Sequence, residues 1–250
     1  MDHHVEPARS LGPLTLAIDI GGTGLKAGLL DSTGALIGER QRTPTPPKAA
    51  PGAVLDRLVA LVQALPAFDR VSVGFPGVVR QGQVLTAPNL DNDAWRRFPL
   101  AAALAERLDR PVRMLNDATV HGLGVIGGHG VECVITLGTG FGFSLFQDGR
   151  PGPHLELAHH PLRKGMTYED YVGNSALKAV GRKRWNKRVQ RALRTIADLV
   201  GYDVLYLGGG NAKHLRFDLP DNVRIVSNDA GLNGGIRLWD RALDPAFAAG

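Results

Sequence analysis

One cysteine, Cys133, stands in a chain of 250 residues. An intrachain disulfide is thereby excluded, which suits a reducing compartment. Cys133 lies within the apolar run Val131–Leu137 and reads as a buried structural thiol, not a nucleophile. No segment approaches the roughly 20 consecutive apolar residues that a membrane crossing requires. The start, Met1–Gly12, is polar and lacks the apolar stretch of a signal peptide. A soluble cytoplasmic protein with no membrane partner is the expectation. Two familiar phosphate fingerprints are also missing. No Gly-Lys-Ser/Thr follows four variable residues, so there is no Walker loop. The first glycine loop leads into a strand-like segment instead of a helix, which excludes a dinucleotide fold. Helix-turn-helix extensions and zinc-finger spacings are absent too, so nucleic acid is disfavoured as a partner.

What is present is ordinary in bulk and uneven in detail. Hydrophobic residues make up 44% and charged residues 21%, as in soluble globular proteins. The 32 glycines cluster, and so read as tight turns and ligand loops. A formal charge of +5 and a pI of about 9.6 favour a polyanionic partner without choosing one.

Short apolar runs alternate with helical spacings. Leu14–Ile20, Leu25–Leu30, Ala35–Arg40, Val71–Phe75, Val112–Leu115, Val131–Leu137, Phe141–Phe146 and Val204–Leu207 read as strands. Ala53–Leu65, Leu100–Leu108, Ala118–Val125 and Gly181–Val200 read as helices, and Thr43–Gly52, with four prolines, as a surface connection. The class is α/β. Within it lies an internal repeat: IDIGGTGLKAGLLD at Ile18–Asp31 and ITLGTGFGFSLFQD at Ile135–Asp148. Each unit is strand, Gly-Thr-Gly, strand and polar turn. Two such units half a chain apart point to a duplicated fold with a cleft between its halves. Glycine loops of this kind let backbone N–H groups approach an anion. Gly21-Gly22-Thr23-Gly24, with Lys26, and Gly138-Thr139-Gly140 could each cup a phosphate.

Four segments in order carry a resemblance: D-I-G-G-T-x-x-K at Asp19–Lys26, L-N-D-A at Leu115–Ala118, T-L-G-T-G-F-G at Thr136–Gly142 and L-G-G-G-N at Leu207–Asn211. Together they resemble the ROK-family sugar kinases of the actin-like superfamily, and most of all the short polyphosphate glucokinases. The resemblance implies a duplicated ribonuclease-H-like, two-lobed fold. Its lobes would span 13–115 and 116–250, after a flexible segment 1–12. It implies a kinase that moves a phosphoryl group from polyphosphate, ATP or both to the 6-hydroxyl of glucose, and a homodimer. An ATP-only kinase for another hexose or an N-acetylhexosamine stays open, as does a non-catalytic sugar sensor.

Phosphoryl transfer needs a positioned hydroxyl, charge neutralisation and a base. Asp117 is the candidate base, with a helix cap as the plainer reading of a carboxylate after a strand. The resemblance implies that Asp19 holds Mg²⁺, through water. It places Asn89, Asn116, Glu156, His159 and Glu169 around the sugar, and Gly208, Gly209, Gly210 and Asn211 on the adenosine or donor side. Many relatives carry a cysteine-rich zinc site after the histidine; this chain has no cysteine there, so no zinc is expected.

Gly181–Val200 is amphipathic. Trp185, Val189, Leu193 and Ile196 share one face, while Arg184, Lys187, Arg188, Arg191 and Arg194 share the other. A solvated charged face and a docking surface for polyphosphate are both open readings.

Overall fold

The computed structural model describes residues 12–227 and 230–247. The N-terminal segment 1–12 therefore lies, apart from Gly12, outside the described residues. In chain order the main elements of the first half are β1 (Thr15–Ile20), β2 (Gly24–Leu30), β3 (Leu36–Pro44), α1 (Pro51–Val62), β4 (Arg70–Phe75), α2 (Leu100–Leu108), β5 (Val112–Asn116) and α3 (Asp117–Leu123). The second half has β6 (Val131–Leu137), β7 (Phe141–Gln147), β8 (Arg150–Pro151), α4 (Tyr168–Val172), α5 (Asn174–Val200), β9 (Val204–Gly208) and β10 (Val223–Ile225).

Two five-stranded sheets share one topology. The first runs β3-β2-β1-β4-β5 and the second β8-β7-β6-β9-β10. In each, the founding strand pairs antiparallel with its hairpin partner and parallel with the strand on its other side. The internal repeat is thus the pair of founding hairpins, and the duplicated, two-lobed α/β reading holds. β1 is apolar almost throughout because it is covered on both faces. Its single half-exposed residue is Asp19, at the end that meets the cleft. The equivalent half-exposed position near the end of β6 is Thr136.

Each lobe has its own core. In the first, Phe75 and Trp95 pack at 5.0 Å between ring centres, and the Trp95 indole donates to the Ala49 carbonyl at 2.7 Å. In the second, Trp185 and Ile196 are fully buried and Val189 is nearly so, as the apolar stripe of the sequence requires. A third cluster, including Val120, Leu123, Phe146 and Leu238, joins the lobes around α3. Residues 230–247 follow the second sheet in sequence and contact the first. Ser72 donates to the Gly235 carbonyl at 2.7 Å, and Arg113 donates to the Leu238 carbonyl at 2.8 Å.

Several boundaries moved. β3 continues through Arg42 to Pro44, past the expected end at Arg40. α5 begins at Asn174 but breaks at Gly181, whose φ of 72° and ψ of 162° are non-helical; glycine supplies this cheaply. Arg188 does not stand with the exposed cations. Its guanidinium lies 4.8 Å above the Tyr171 ring and donates to the Tyr171 carbonyl at 3.3 Å. The segment Pro161–Asn174 is ordered by local chemistry. Thr167 and Asp170 form a reciprocal capping box at the start of α4, Tyr168 packs on Phe141 at 5.2 Å, and the Trp185 indole donates to the Val172 carbonyl at 2.8 Å.

Candidate active site

The lobes face each other across a cavity of about 660 Å³. Both glycine loops open into it. Each is a tight turn between hairpin strands: Gly21 N–H donates to the Gly24 carbonyl at 3.0 Å and Gly138 N–H to the Gly140 carbonyl at 3.2 Å. Thr23 and Thr139 are exposed at the two tips. Asp19, Lys26, Asn89, Asn116, Asp117, Glu156, His159 and Glu169 also line the cavity. Residues scattered over 150 positions of sequence therefore meet in one place, as a duplicated fold with facing loops demands.

Asp117 sits where β5 turns into α3. Its neighbour Asn116 is the helix cap: the Asn116 amide oxygen accepts from Ala118 N–H at 3.0 Å and Thr119 N–H at 3.3 Å. Its Nδ2 donates to the carbonyls of Gly77, at 3.1 Å, and Phe75, at 3.4 Å. The plain capping role thus falls to Asn116, which spends its hydrogen-bonding capacity on backbone. Its side chain is thereby fixed in the cavity wall. Among the described residues Asp117 is left with one bond, from Ala118 N–H to Oδ1 at 2.8 Å. Burial pushes its pKa up to about 7; the charges of Asp19 and Glu156 push the same way, against the Ala118 bond and His154. Gly74 permits this placement, because a Cβ there would press on the Asp117 backbone.

Asp19, Lys26 and Arg42 are cross-strand neighbours on β1, β2 and β3. Lys26 Nζ donates to Asp19 Oδ2 at 2.8 Å, and the other Asp19 oxygen has no protein partner among the described residues. Among those residues no cluster of three or more His, Cys, Asp or Glu could cage a metal. A single half-exposed carboxylate with a free oxygen, beside the two glycine loops, is nonetheless a donor set that fits Mg²⁺. That ion keeps several waters and takes few carboxylates.

On the opposite wall His154 and Glu156 form a pair at 3.2 Å. The bond from His154 holds the Glu156 carboxyl below its ordinary value despite partial burial. His159 is exposed on the turn that follows, and Ala158, in its place between them, is buried. Glu169, on α4, lies against the second loop; a Cβ on Gly140 would collide with its carboxylate.

Gly208, Gly209, Gly210 and Asn211 do not line the cavity. They lie directly behind the second loop: Asn211 Nδ2 donates to the Gly138 carbonyl at 3.0 Å and Asn211 N–H to the Leu137 carbonyl at 2.8 Å. Gly209 has φ of +89°, and a Cβ there would overlap the Leu137 backbone. Gly209→Ala is therefore expected to lower stability by about 1–3 kcal/mol, which thermal denaturation checks.

Three polar side chains line the cavity without having been singled out from the sequence: Arg42, His154 and Thr136. Thr136 had a signal, since it occupies the position of Asp19 in the internal repeat. Arg42 enters through the extension of β3 past Arg40, which pairs it with Lys26.

Duplicated β-sheet lobes around a cleft, with paired glycine loops facing it, define the actin-like ATPase fold. The chain belongs to the ROK family, whose model matches residues 15–177. It is 34% identical over 234 residues to a polyphosphate glucokinase of Mycobacterium leprae, covering 87% of this chain and 72% of the relative. A polyphosphate glucokinase of Mycobacterium tuberculosis is 32% identical over 203 residues, covering 77% of this chain and 76% of the other. The crystal structure of an inorganic polyphosphate/ATP-glucomannokinase from Arthrobacter sp. strain KM superimposes with a TM-score of 0.81 at 33% identity, over 90% of this chain and 98% of that one. A ROK glucokinase from Streptomyces griseus, in complex with glucose and AMPPNP, shares the fold with a TM-score of 0.70 at 22% identity, over 90% and 98% of the two chains.

Proposed function

We propose that the protein is a hexose kinase that transfers the terminal phosphoryl group of polyphosphate or ATP to the 6-hydroxyl of glucose. The observation that carries this is Asp117. It is a carboxylate freed from capping by Asn116, raised in pKa, and placed between two loops built for phosphate. Kinases of the same family with polyphosphate in their names support the donor.

The cavity walls divide the work. Glu156, His159, Asn89 and Glu169 present acceptors and donors to the sugar hydroxyls, and the His154 pair holds Glu156 ionised. The loops at Gly21–Gly24 and Gly138–Gly140 receive donor phosphates through backbone N–H groups and the Thr23 and Thr139 hydroxyls. As the sugar oxygen bonds to phosphorus and the bridging P–O bond breaks, Asp117 takes the hydroxyl proton. The shortened donor departs with the bond electrons. Asp19 would hold Mg²⁺, which when bound neutralises donor-phosphate charge. Lys26 and Arg42 add fixed positive charge on the same side.

A panel of ATP and polyphosphate against glucose, mannose, fructose and the N-acetylhexosamines tests the reading. Glucose 6-phosphate from both donors is the expected product. ATP-dependent phosphorylation of an N-acetylhexosamine alone would assign a different substrate, and no turnover with any pair would favour a sugar sensor. The same reading carries with it a cytoplasmic setting and a homodimer. Among the described residues no helix is long and apolar enough to cross a membrane. Sedimentation that finds only monomer would remove the dimer.

A further inference from the structure

The cationic face of α5 is not explained by the cleft. Between Gly173 and Ala197 the sequence contains no Asp or Glu. Arg182, Lys183, Arg184, Lys187, Arg191 and Arg194 are all exposed. Among the described residues no carboxylate pairs with any of them. Arg184, Lys187, Arg191 and Arg194 follow at steps of three and four, so they form one stripe about 15 Å long at 1.5 Å per residue. Like charges at this spacing repel and weaken a helix. A merely solvated face has no need of that cost and ordinarily intersperses acidic residues. An unbroken row of one sign is complementary to an extended polyanion.

The stripe is also continuous with the phosphate site. Asn174 N–H, at the start of α5, donates to the Thr139 carbonyl of the second loop at 3.3 Å. From the back of that loop Asn211 leads into a short turn, Ala212–His214, which is tied to the basic half of the helix. Asn186 Nδ2 donates to the His214 carbonyl at 3.0 Å, and Arg216 N–H donates to Asn186 Oδ1 at 2.6 Å. Lys213 is exposed on this turn. Arg182, Lys213 and Arg216 lie close enough to His214 that their charges, after desolvation, hold its imidazole below the ordinary value. Positive charge therefore extends from the second loop, over the turn, to the helix.

We propose that Lys213, Arg182 and the stripe Arg184–Lys187–Arg191–Arg194 form a docking track for the distal part of an inorganic polyphosphate chain whose reacting end lies at the second glycine loop. The inference rests on the polyphosphate-donor reading above. ATP ends in an adenosine after three phosphates and has no further anionic units to lay along the helix. The track thus distinguishes the donors by length.

Kinetics of the full-length enzyme with glucose test it, using long-chain polyphosphate, tripolyphosphate and ATP. In the triple variant Arg184→Glu, Lys187→Glu, Arg191→Glu, KM for long-chain polyphosphate should rise about tenfold or more and depend less steeply on salt. Those for tripolyphosphate and ATP should stay within about twofold. The neutral triple Arg184→Gln, Lys187→Gln, Arg191→Gln should give a smaller rise in the same order, which covers a failure of the reversed variant to fold. An equal charge change on the first lobe, Arg57→Glu, Arg80→Glu, Arg96→Glu, serves as control and should leave the ratio between donors unchanged. Equal rises for all donors, or equal rises from the control triple, would overturn the track. So would tighter binding of a labelled RNA oligonucleotide than of polyphosphate at the same salt, which would assign the face to nucleic acid. If the wild type uses ATP but not polyphosphate, the donor reading fails and the track with it. If the wild type uses polyphosphate and both stripe variants match it, only the track fails.

Discussion

Asp117→Asn should lower kcat by about 10²–10⁴-fold, the usual contribution of a positioned general base. The substitution keeps the shape and an acceptor oxygen for the Ala118 N–H bond, which is 2.8 Å in the native protein. It removes the ability to take a proton. It should also leave the fold intact, for a reason that can be checked independently. Asp117 has a folded-state pKa of about 7, above the ordinary carboxylate value. As pH rises, the unfolded chain loses this proton first, so ionising Asp117 costs the native state stability between about pH 4 and 7. Below that window the group is neutral in both states. The asparagine variant never ionises there, so at about pH 8 it should melt no lower than the wild type. Loss of turnover together with a lower melting temperature would point to a structural role instead.

Trp185→Ala should be the most damaging change away from the cleft. Trp185 is completely buried, and truncating a buried tryptophan costs about 3–5 kcal/mol. The indole also holds the Val172 carbonyl at 2.8 Å, at the end of the short helix that carries Glu169 into the cavity. Trp185→Phe keeps much of the packing but orphans that carbonyl, at about 1–3 kcal/mol. Denaturant titrations of the two variants separate packing from the hydrogen bond. A raised KM for sugar in Trp185→Phe, with kcat little changed, would trace to Glu169. Stability losses under about 1 kcal/mol in both would show that the segment Pro161–Asn174 is held by something else.

The duplication was legible because a strand, a Gly-Thr-Gly turn and a second strand are local, and their repetition can be seen without any tertiary knowledge. The buried stripe of α5 was legible from its spacing for the same reason. Other features depend on where the chain goes afterwards. The last strand, Val223–Ile225, has only three residues and forms by adding to an existing edge. Arg42 enters the site through cross-strand register with Lys26, beside prolines that read as a loop. Residues 230–247 pack on the first sheet through Ser72, Arg113 and Trp239, contacts that no local pattern encodes. At Asn116 and Asp117 two adjacent polar side chains follow one strand, and local pattern does not divide the capping between them. Either side chain could cap the helix, and only the geometry shows that Asn116 does.

The pH dependence of kcat/KM for glucose, with the donor well below its KM, tests the role of Asp117 most directly, since this quantity then follows the ionisation of the free enzyme. The expected profile has an acid limb with its midpoint near 7, because the proton-accepting form is the carboxylate. The Glu156 charge helps to raise the Asp117 pKa, so Glu156→Gln should move that midpoint to lower pH while reducing the plateau. A wild-type profile that is flat from about pH 5.5 to 8.5, or a limb that stays in place when Glu156 is neutralised, would contradict the assignment of Asp117 as the base.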